Sequence, residues 1–324
     1  MSFQHGMAGI FTVKKYRKGT LTFHSVFDNL ITNKGLDMFG YLQDSQEHNF
    51  AKSMLRRLTL GTGSGSPEFG DLGVHSKVLS LDTQGPSSTG KSSVAPLASP
   101  GNQGHYMYVR QEWTILSTGD QRTFSEVSVG PADDSADYIW ARQLFRNETG
   151  QVEALVQEPD EDLVIMYELR VFPPADSAFD SGTVTVNGTK FRAMWAVDWS
   201  SWDTSRVFPG SQSANIITDH TVSSEAPPVL PDNVPVIKGA GSSSVSWDDY
   251  SGNKKRRCVI TWNGDSFNET VSIRGVAIPG IFGSGSGTPW IMLLFPLNSG
   301  GPIGFHKTAD EQLSMVFEHT WDRR

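Results

Sequence analysis

The chain is short of cysteine, of charge and of long apolar runs. Its single cysteine, Cys258, excludes an internal disulfide and any cysteine-rich metal site. Charged residues make up 19% of the 324 positions and the formal net charge is −8, which argues against a protein that binds nucleic acid by neutralising phosphates. The longest apolar run, 290–297, is less than half of the roughly 20 residues that span a bilayer. With no secretory signal at its start, we expect a soluble protein that has no direct contact with membrane or nucleic acid.

Recognisable catalytic motifs are also missing. No H-E-x-x-H, G-x-S-x-G, paired C-x-x-C or dinucleotide glycine motif stands in a supporting context, and the eight histidines are scattered. Segment 85–92 fits the phosphate-loop pattern G-x-x-x-x-G-K-[ST], but Pro96 and Pro100 interrupt the helix that such a loop needs. We therefore expect no enzyme activity, no cofactor and no bound metal.

Glycine and proline, by contrast, are plentiful. Their counts, 32 and 17, suit many short strands joined by turns rather than long helices. Segment 182–199 places Asn187 and Gly188 between two alternating runs, which predicts a hairpin with a two-residue turn. Residues 31–43 predict one short helix, with Thr32 or Asn33 as its N-terminal cap.

A stretch near the middle of the chain recurs at its end. Residues 160–172 match residues 310–321 at a shift of 150, which superposes the Asp-Glu pair that opens each stretch. Upstream, 124–130 matches 273–279 at nearly the same shift. Residue type and order persist although identity is low, so we interpret the pattern as duplication of one β-rich unit. The repeated acidic pair then indicates turn chemistry rather than two active sites, because Asp closes a turn at little cost.

From these patterns we predict an all-β fold of two related β-sandwich-like (jelly-roll-like) units with one short helix and long loops. The first unit spans 1–174 and includes a basic N-terminal arm. The second, duplicated unit spans 175–324 and contains a long loop at 211–250. The Pro-Pro pair at 173–174 marks the boundary, because proline cannot continue a central strand. Segment 82–104 is rich in Ser, Gly and Pro and predicts a mobile loop.

Five motifs follow one another through the first half of the chain: NLITNKGLD, LTLGTGSGSPEFGDLGVHSKV, FSEVSVG, ARQLF and DEDLVIMYELRVFPP. In this order they resemble a recurrent group of tailed-bacteriophage virion proteins, usually described as tail, fibre or baseplate-associated structural proteins. The resemblance covers residues 25–174, and TADEQLSMVFEHTWDRR at the end of the chain has the usual closing form of the group. The insertion at 80–105 and the stretch 173–255 depart from the pattern.

The resemblance implies a non-enzymatic structural component of the virion, assembled in the host cytoplasm. Its place would be in the tail, the baseplate or the fibre-attachment apparatus. Its partners would be tail, baseplate, fibre or collar proteins and further copies of the chain in a homo-oligomer. A head decoration or collar protein is the alternative position in the same particle. The alternative from another class is a carbohydrate-binding receptor module or depolymerase, with a host-surface glycan as ligand.

Two basic clusters are candidate interface residues. The cluster in the N-terminal arm consists of Lys14, Lys15, Arg17 and Lys18. It suits docking on an acidic neighbouring subunit, and it equally suits an edge strand whose lysines prevent unwanted pairing. The cluster before the strand CVITW consists of Lys254, Lys255, Arg256 and Arg257. There we favour a solvated strand entry over contact with acidic neighbours or a phosphate backbone.

Tryptophans form the third group of candidate interface residues. Trp195, Trp199 and Trp202 cluster with Trp247 in and beside the long loop of the second unit. Their rings would stack on sugars if the protein were a lectin. We favour a place in the core or in a subunit interface, where buried aromatic residues carry much of the binding energy.

Overall fold

The computed structural model describes part of the chain, and every structural statement below concerns that part. The described ranges are 2–41, 55–83, 88–93, 105–132, 138–172, 182–186, 189–197, 215–217, 243–263, 273, 275–278, 290–296, 305–308 and 310–324. The predicted boundary at 173–174 falls outside them and stays a prediction.

In the described ranges the protein is mostly β, with one short helix, a curled mixed half-barrel sheet and further antiparallel sheets. This agrees with the predicted all-β class. The elements are β1 (Ser2–Arg17), β2 (Thr20–Asp28), β3 (Leu30–Ile31), α1 (Asn33–Tyr41), β4 (Arg57–Gly61), β5 (Lys77–Asp82), β6 (Ser88–Ser93), β7 (His105–Ile115), β8 (Arg122–Phe124), β9 (Glu126–Gly130), β10 (Ala141–Leu144), β11 (Leu155–Gln157), β12 (Glu161–Phe172), β13 (Gly182–Val186), β14 (Thr189–Val197), β15 (Asn215–Ile217), β16 (Ser243–Trp247), β17 (Lys255–Trp262), β18 (Gly275–Ile278), β19 (Trp290–Pro296) and β20 (Leu313–Arg323).

The half-barrel sheet draws its strands from both ends of the chain. Its order is β16-β17-β20-β1-β12-β7-β6, and β2 pairs with β1 beside that path. Strands β1 and β20 run parallel over 2–7 and 318–323, whereas the other pairs of this sheet are antiparallel. The N-terminal strand therefore joins the strands of the first half to those of the second.

Strand β12 lies in the middle of this sheet, between β1 and β7. Its alternate residues Leu163, Ile165 and Tyr167 are fully buried in the core, while Val164 and Met166 on the opposite face are half-buried. A strand with apolar residues on both faces is typical of a central position.

Two further sheets have five strands each, in the orders β3-β10-β9-β4-β5 and β13-β14-β19-β18-β15, and β8 pairs with β11. The five-stranded sheets share a register. Val127 lies opposite Gln143 in the β9–β10 pair, and a shift of 149 residues carries this pair onto Val276 opposite Met292 in the β18–β19 pair. The same spatial order therefore occurs twice, with β3-β10-β9-β4 corresponding to β14-β19-β18-β15.

Outside the five-stranded sheets, one further residue pair of the first half has an equivalent in the second half. Phe124 lies opposite Leu155 in the β8–β11 pair, and an isolated bridge joins Ile273 to Phe305 at the equivalent place.

In the half-barrel, however, the register differs. Trp113 and Trp262 correspond to each other and are both buried. Trp113 lies opposite Ile165, whereas Trp262 lies opposite Leu313, the residue that the sequence matches to Leu163. The two halves of the half-barrel thus differ by a two-residue step, which keeps the same side chains on the core face because the side-chain period of a strand is two.

The helix prediction is confirmed, and Thr32 is its cap. The N–H of Gly35 donates to Oγ1 of Thr32 at 2.9 Å, which satisfies one of the free donors at the helix start. Leu36 and Phe39 are fully buried. Nε1 of Trp321 on β20 donates to the carbonyl of Leu36 at 2.7 Å, so the last strand of the chain packs directly on α1.

The strands of the predicted hairpin are confirmed, since β13 and β14 are antiparallel with Val186 opposite Thr189. The predicted turn residues Asn187 and Gly188 lie outside the described ranges. Two predicted loops need correction. Segment 82–104 contains β6, which places the glycine, lysine and serine of the phosphate-loop pattern in an extended strand, and segment 211–250 contains β15 and β16. Each of these short strands is the outermost described strand of its sheet.

Candidate functional site

A buried ion pair joins two neighbouring strands of the sheet β3-β10-β9-β4-β5. Glu126 on β9 and Arg142 on β10 are both 0% exposed. Nε and Nη2 of Arg142 donate to Oε2 of Glu126 at 2.9 and 2.7 Å. Because Arg142 lies opposite Ser128, the two charged residues are diagonal neighbours on one face of the sheet. Two opposite charges removed from water are tolerated only when they are paired and hydrogen-bonded, as these two are.

The carboxylate of Glu126 also closes the glycine-rich loop, which we define as residues 61–76. Its Oε1 accepts the N–H groups of Gly63 and Ser76 at 2.9 and 3.0 Å, and its Oε2 accepts that of His75 at 3.1 Å. A Cβ atom on Gly61 or Gly63 would lie less than 3.0 Å from Oε1 of Glu126. These glycines are therefore required for the close approach of the loop backbone to a buried carboxylate.

The guanidinium group of Arg142 holds the middle of the same loop. It donates to the carbonyls of Gly65 and Ser66 at 2.9 and 3.3 Å, and to Oδ2 of Asp71 at 2.8 Å. Asp71 Oδ2 in turn accepts the N–H of Glu68 at 2.9 Å. The loop is thus wrapped around a buried cation, and its shape depends on side chains from two strands that follow it in the chain.

Hydrogen bonding keeps these carboxylates ionised. Burial alone would raise the pKa of Glu126, but the N–H donors of Ser76, His75 and Gly63 together with Arg142 outweigh it, and the pKa lies below its ordinary value. For Asp71 the same opposition of burial and hydrogen bonds also leaves the pKa lowered. Both carboxylates are therefore ionised at neutral pH.

The glycine-rich loop packs against the start of α1. The N–H of Asn33 donates to the carbonyl of Phe69 at 2.8 Å. Arg323 on β20 lies 4.0 Å above the ring of Phe69 and donates to the carbonyl of Ile31 and to Oδ1 of Asn33, both at 2.6 Å. Phe69 is nevertheless 52% exposed. The loop therefore presents a fixed apolar side chain at the surface.

In the N-terminal arm, two of the four candidate cations have partners within the chain. Lys15 lies 3.1 Å from Glu161, and Arg17 lies 3.0 Å from Asp160. These acids open β12, so the pairs join the hairpin of β1 and β2 to the centre of the half-barrel. A neighbouring subunit is not needed to neutralise them, and docking of the arm stays a prediction.

The remaining two, Lys14 and Lys18, lie on the same hairpin. Lys14 is half-buried on β1. Lys18 is exposed in the two-residue turn, where Lys18 and Gly19 have φ values of 50° and 79°. The arm is thus a paired hairpin of the half-barrel, because β1 has neighbours on both edges.

The second basic cluster is mostly paired within the chain as well. Arg256 is 3% exposed and donates to the carbonyls of Asp248 and Gly40, so it belongs to the interior. The other three cations pair with acids at the surface: Lys254 with Asp322 at 3.3 Å, Lys255 with Glu318 at 3.1 Å and Arg257 with Asp248 at 3.0 Å. The favoured interpretation as a strand entry agrees with this placement for all except Arg256.

The tryptophan group is only partly described. Trp199 and Trp202 lie outside the described residues, and Trp195 lies on β14. Trp247 on β16 is half-buried, and its ring lies 5.3 Å from that of His319. The sugar-platform hypothesis for these tryptophans therefore stays untested.

The repeated acidic pair is a turn motif in both halves. Oε2 of Glu161 accepts the N–H of Glu158 at 3.2 Å, and Oε2 of Glu311 accepts the N–H of Thr308 at 2.9 Å. In return, the backbone N–H of Glu161 donates to the carbonyl of Glu158, and that of Glu311 donates to the carbonyl of Thr308. The prediction of turn chemistry is confirmed, but its attribution to Asp is wrong, because the glutamate makes the bond.

Sequence reasoning missed the buried network of Glu126, Arg142 and Asp71. One signal was present: FSEVSVG and ARQLF each place a single charged residue inside a strand whose other residues are uncharged. A shift of 149 residues adds a second signal, because it carries Glu126 onto Gly275 and Arg142 onto Ile291. The second half builds the same strand pair without these charges, so the ion pair serves the glycine-rich loop rather than the strands.

Comparisons with known proteins give no match among family models, curated proteins or solved structures. Within the described ranges, no three His, Cys, Asp or Glu side chains come together as a metal site would require. The helix that these ranges contain lacks the length and apolarity needed to cross a membrane.

Proposed function

We propose that the chain is a non-enzymatic structural component of a tailed-bacteriophage virion, located in the tail, the baseplate or the fibre-attachment apparatus. The observation that carries the proposal is that motifs of the phage resemblance, far apart in the chain, meet in space. The motifs that carry the resemblance therefore belong to one structural unit of the fold, which is what a shared family fold would require.

The convergence is at the glycine-rich loop. NLITNKGLD supplies Asn33, which bonds the loop at Phe69, while FSEVSVG supplies Glu126 and ARQLF supplies Arg142. The loop itself belongs to the motif LTLGTGSGSPEFGDLGVHSKV. The four motifs therefore specify one preformed surface loop and the buried charges that hold it. Such a rigid loop is suited to contact with a neighbouring subunit, because little conformational entropy is lost on binding.

The fifth motif, DEDLVIMYELRVFPP, joins this group through Tyr167. Its hydroxyl accepts hydrogen bonds from Nδ2 of Asn29 at 3.2 Å and from Nε1 of Trp140 at 2.9 Å. Asn29 opens the first motif, and Trp140 precedes ARQLF. Burial raises the pKa of this tyrosine above the ordinary value, so the hydroxyl stays neutral and works as a structural link.

We also propose that the fold consists of two related β-sandwich-like units that arose by duplication. The support comes from the shared register of β9–β10 and β18–β19 and from the repeated strand order of the two five-stranded sheets. A duplicated subunit presents two similar surfaces to its neighbours, which suits a component that joins copies in a closed assembly.

The position in the particle is tested by labelling. An epitope tag is placed after Arg324 on the chain expressed by the phage, and purified particles are imaged with a gold-conjugated antibody. We expect gold at the tail, the baseplate or the fibre attachment. Gold at the head or collar would replace this position with the alternative one. Particles without gold, with the tagged chain found only in the soluble lysate, would contradict the proposal.

A further inference from the structure

A buried carboxylate lies on the outer face of the half-barrel sheet, opposite the core. Glu168 on β12 is 3% exposed although its strand neighbours on that face are half-buried. It is covered by two guanidinium groups: Nε of Arg170 donates to its Oε1 at 2.5 Å, and Nε of Arg110 donates to its Oε2. The side chains of these arginines are 35% and 29% exposed, for Arg110 and Arg170 respectively.

Aromatic rings support the same two arginines. The guanidinium of Arg110 lies 4.1 Å from the ring centre of Tyr108, and that of Arg170 lies 4.5 Å from the ring centre of Tyr106. On the adjacent edge strand β6, Gly90 lies opposite Tyr108, and a glycine adds no side chain over the ring. We call Tyr106, Tyr108, Arg110, Glu168 and Arg170 the arginine platform.

The Nη groups of both arginines have no hydrogen-bond partner among the described residues. Because Nε of each arginine is used by Glu168, the planar groups are fixed. A fixed guanidinium presents its N–H groups in the fork geometry that suits a carboxylate. Two cations against one anion also give this patch a net positive charge in a chain whose formal net charge is −8.

We propose that the arginine platform binds an extended acidic peptide segment of a neighbouring protein subunit. This inference rests on the proposed role in assembly. Rings Tyr106 and Tyr108 are 6.5 Å apart, and side chains on one side of an extended peptide recur about every 6.8 Å. Carboxylates at alternate positions of such a peptide therefore have nearly the spacing of the two rings that support Arg110 and Arg170.

The test measures binding of a synthetic peptide to the full chain by calorimetry. The probe is a decapeptide of alternating Glu and Ser, and the control peptide replaces each Glu by Gln. We expect saturable binding of the acidic peptide only, weakened at least about tenfold in the double variant Arg110→Gln/Arg170→Gln. The matched control, Lys255→Gln/Arg257→Gln, removes the same charge from exposed pairs elsewhere and is expected to bind as the unaltered chain does.

The variant Glu168→Gln distinguishes binding to arginines held in place by Glu168 from non-specific electrostatic attraction. This change makes the protein more positive, so non-specific attraction predicts tighter binding, whereas loss of the positions of Arg110 and Arg170 predicts binding weakened about tenfold. Circular dichroism confirms that each variant is folded. Tighter binding by Glu168→Gln, or equal loss in the matched control, would overturn the proposal.

Two further anionic probes, polygalacturonate for a glycan and single-stranded oligo-dT for a nucleic acid, test which class of ligand the platform prefers. Both are used at the same total charge as the peptide. We expect both to bind more weakly than the acidic peptide. A preference for either probe that depends on Arg110 and Arg170 would overturn the peptide assignment in favour of a glycan or a nucleic acid. Since the assay uses only the purified chain, a failure of peptide binding leaves the virion proposal, which is tested on particles, unaffected.

Discussion

At the scale of single residues, the buried pair of Glu126 and Arg142 is the most sensitive point of the molecule. Arg142→Met removes the cation while Glu126 stays buried, and an uncompensated buried charge costs about 3–5 kcal/mol. We expect the free energy of unfolding, measured by urea denaturation at neutral pH, to fall by that amount. The rate of hydrogen exchange at the loop N–H groups that donate to Glu126 should increase in parallel.

The matched control for this prediction is Arg257→Met. Arg257 pairs with Asp248 at 3.0 Å, but the two side chains are 53% and 49% exposed, and such surface pairs contribute about 0–1 kcal/mol. Equal effects of the two substitutions would contradict the structural role assigned to the buried network.

A second residue-scale prediction concerns the buried pair of His5 and His319. Both side chains are fully buried at the seam of β1 and β20, with Nε2 of His5 3.2 Å from Nδ1 of His319. Burial lowers the pKa of His5 to about 3, and burial together with His5 and the amino terminus lowers that of His319. Arg256 lies opposite His319 on the neighbouring strand β17.

The sign of the effect follows from these shifts. A histidine whose folded pKa is depressed is protonated more readily in the unfolded chain, so its stabilisation is complete above about pH 6.5 and declines as the pH falls towards 3. We expect His5→Leu to reduce the slope of unfolding free energy against pH between 6.5 and 4.5 by about 1.4 kcal/mol per pH unit. His306→Leu, at an exposed position, is the control, and an unchanged slope in His5→Leu would refute the prediction.

Individual side chains were predictable where their role is local. Thr32 as a helix cap and the acidic turn before β12 both follow from residues within three positions of one another. The pairing of Glu126 with Arg142 does not, because it depends on which face of two strands is covered by a loop far back in the chain. The same holds for His5 and His319, which stand at opposite ends of the sequence.

At the scale of elements, the hairpin of β1 and β2 depends on its turn. Lys18 and Gly19 both have positive φ, the conformation that matches the twist of a two-residue hairpin. Gly19→Ala should cost about 1–2 kcal/mol, because a Cβ atom in this region meets the backbone. Gly73→Ala is the control, since Gly73 has open space for a Cβ atom and no such φ value. Thermal unfolding of both variants checks the prediction, and equal melting temperatures would contradict it.

Strands with strong alternation were predictable, and weakly apolar edge strands were not. Strands β7, β12, β19 and β20 coincide with runs whose side chains alternate or are apolar throughout. Strand β6, with the sequence STGKSS, has no such run. It forms because its backbone pairs with β7, and that pairing is a long-range contact which local composition does not encode.

At the scale of the whole molecule, the half-barrel sheet unites the two halves of the chain. The recurring residue types that suggest duplication can be read from the sequence. The position of β1 between β12 and β20 cannot, because no described strand of the second half corresponds to β1. Its parallel pairing with β20 joins residues that are more than 300 positions apart. Such a contact is set by the closure of the sheet, which no local pattern specifies.

This continuity predicts a single unfolding transition. Because one sheet runs through both halves, we expect calorimetry of the purified chain to give one peak whose calorimetric and van't Hoff enthalpies agree. Two separable peaks, or an enthalpy ratio near two, would show that the halves unfold independently. Either result would contradict the role of β1 as the strand that joins the two halves.

The most direct test of the proposed role is the protein content of the particle. Phage particles purified through a density gradient are digested, and the peptides of this chain are counted against those of the other virion proteins by mass spectrometry. We predict a constant, multiple copy number per particle that survives repeated purification. Peptides found only in the soluble fraction of the lysate would contradict a place in the virion.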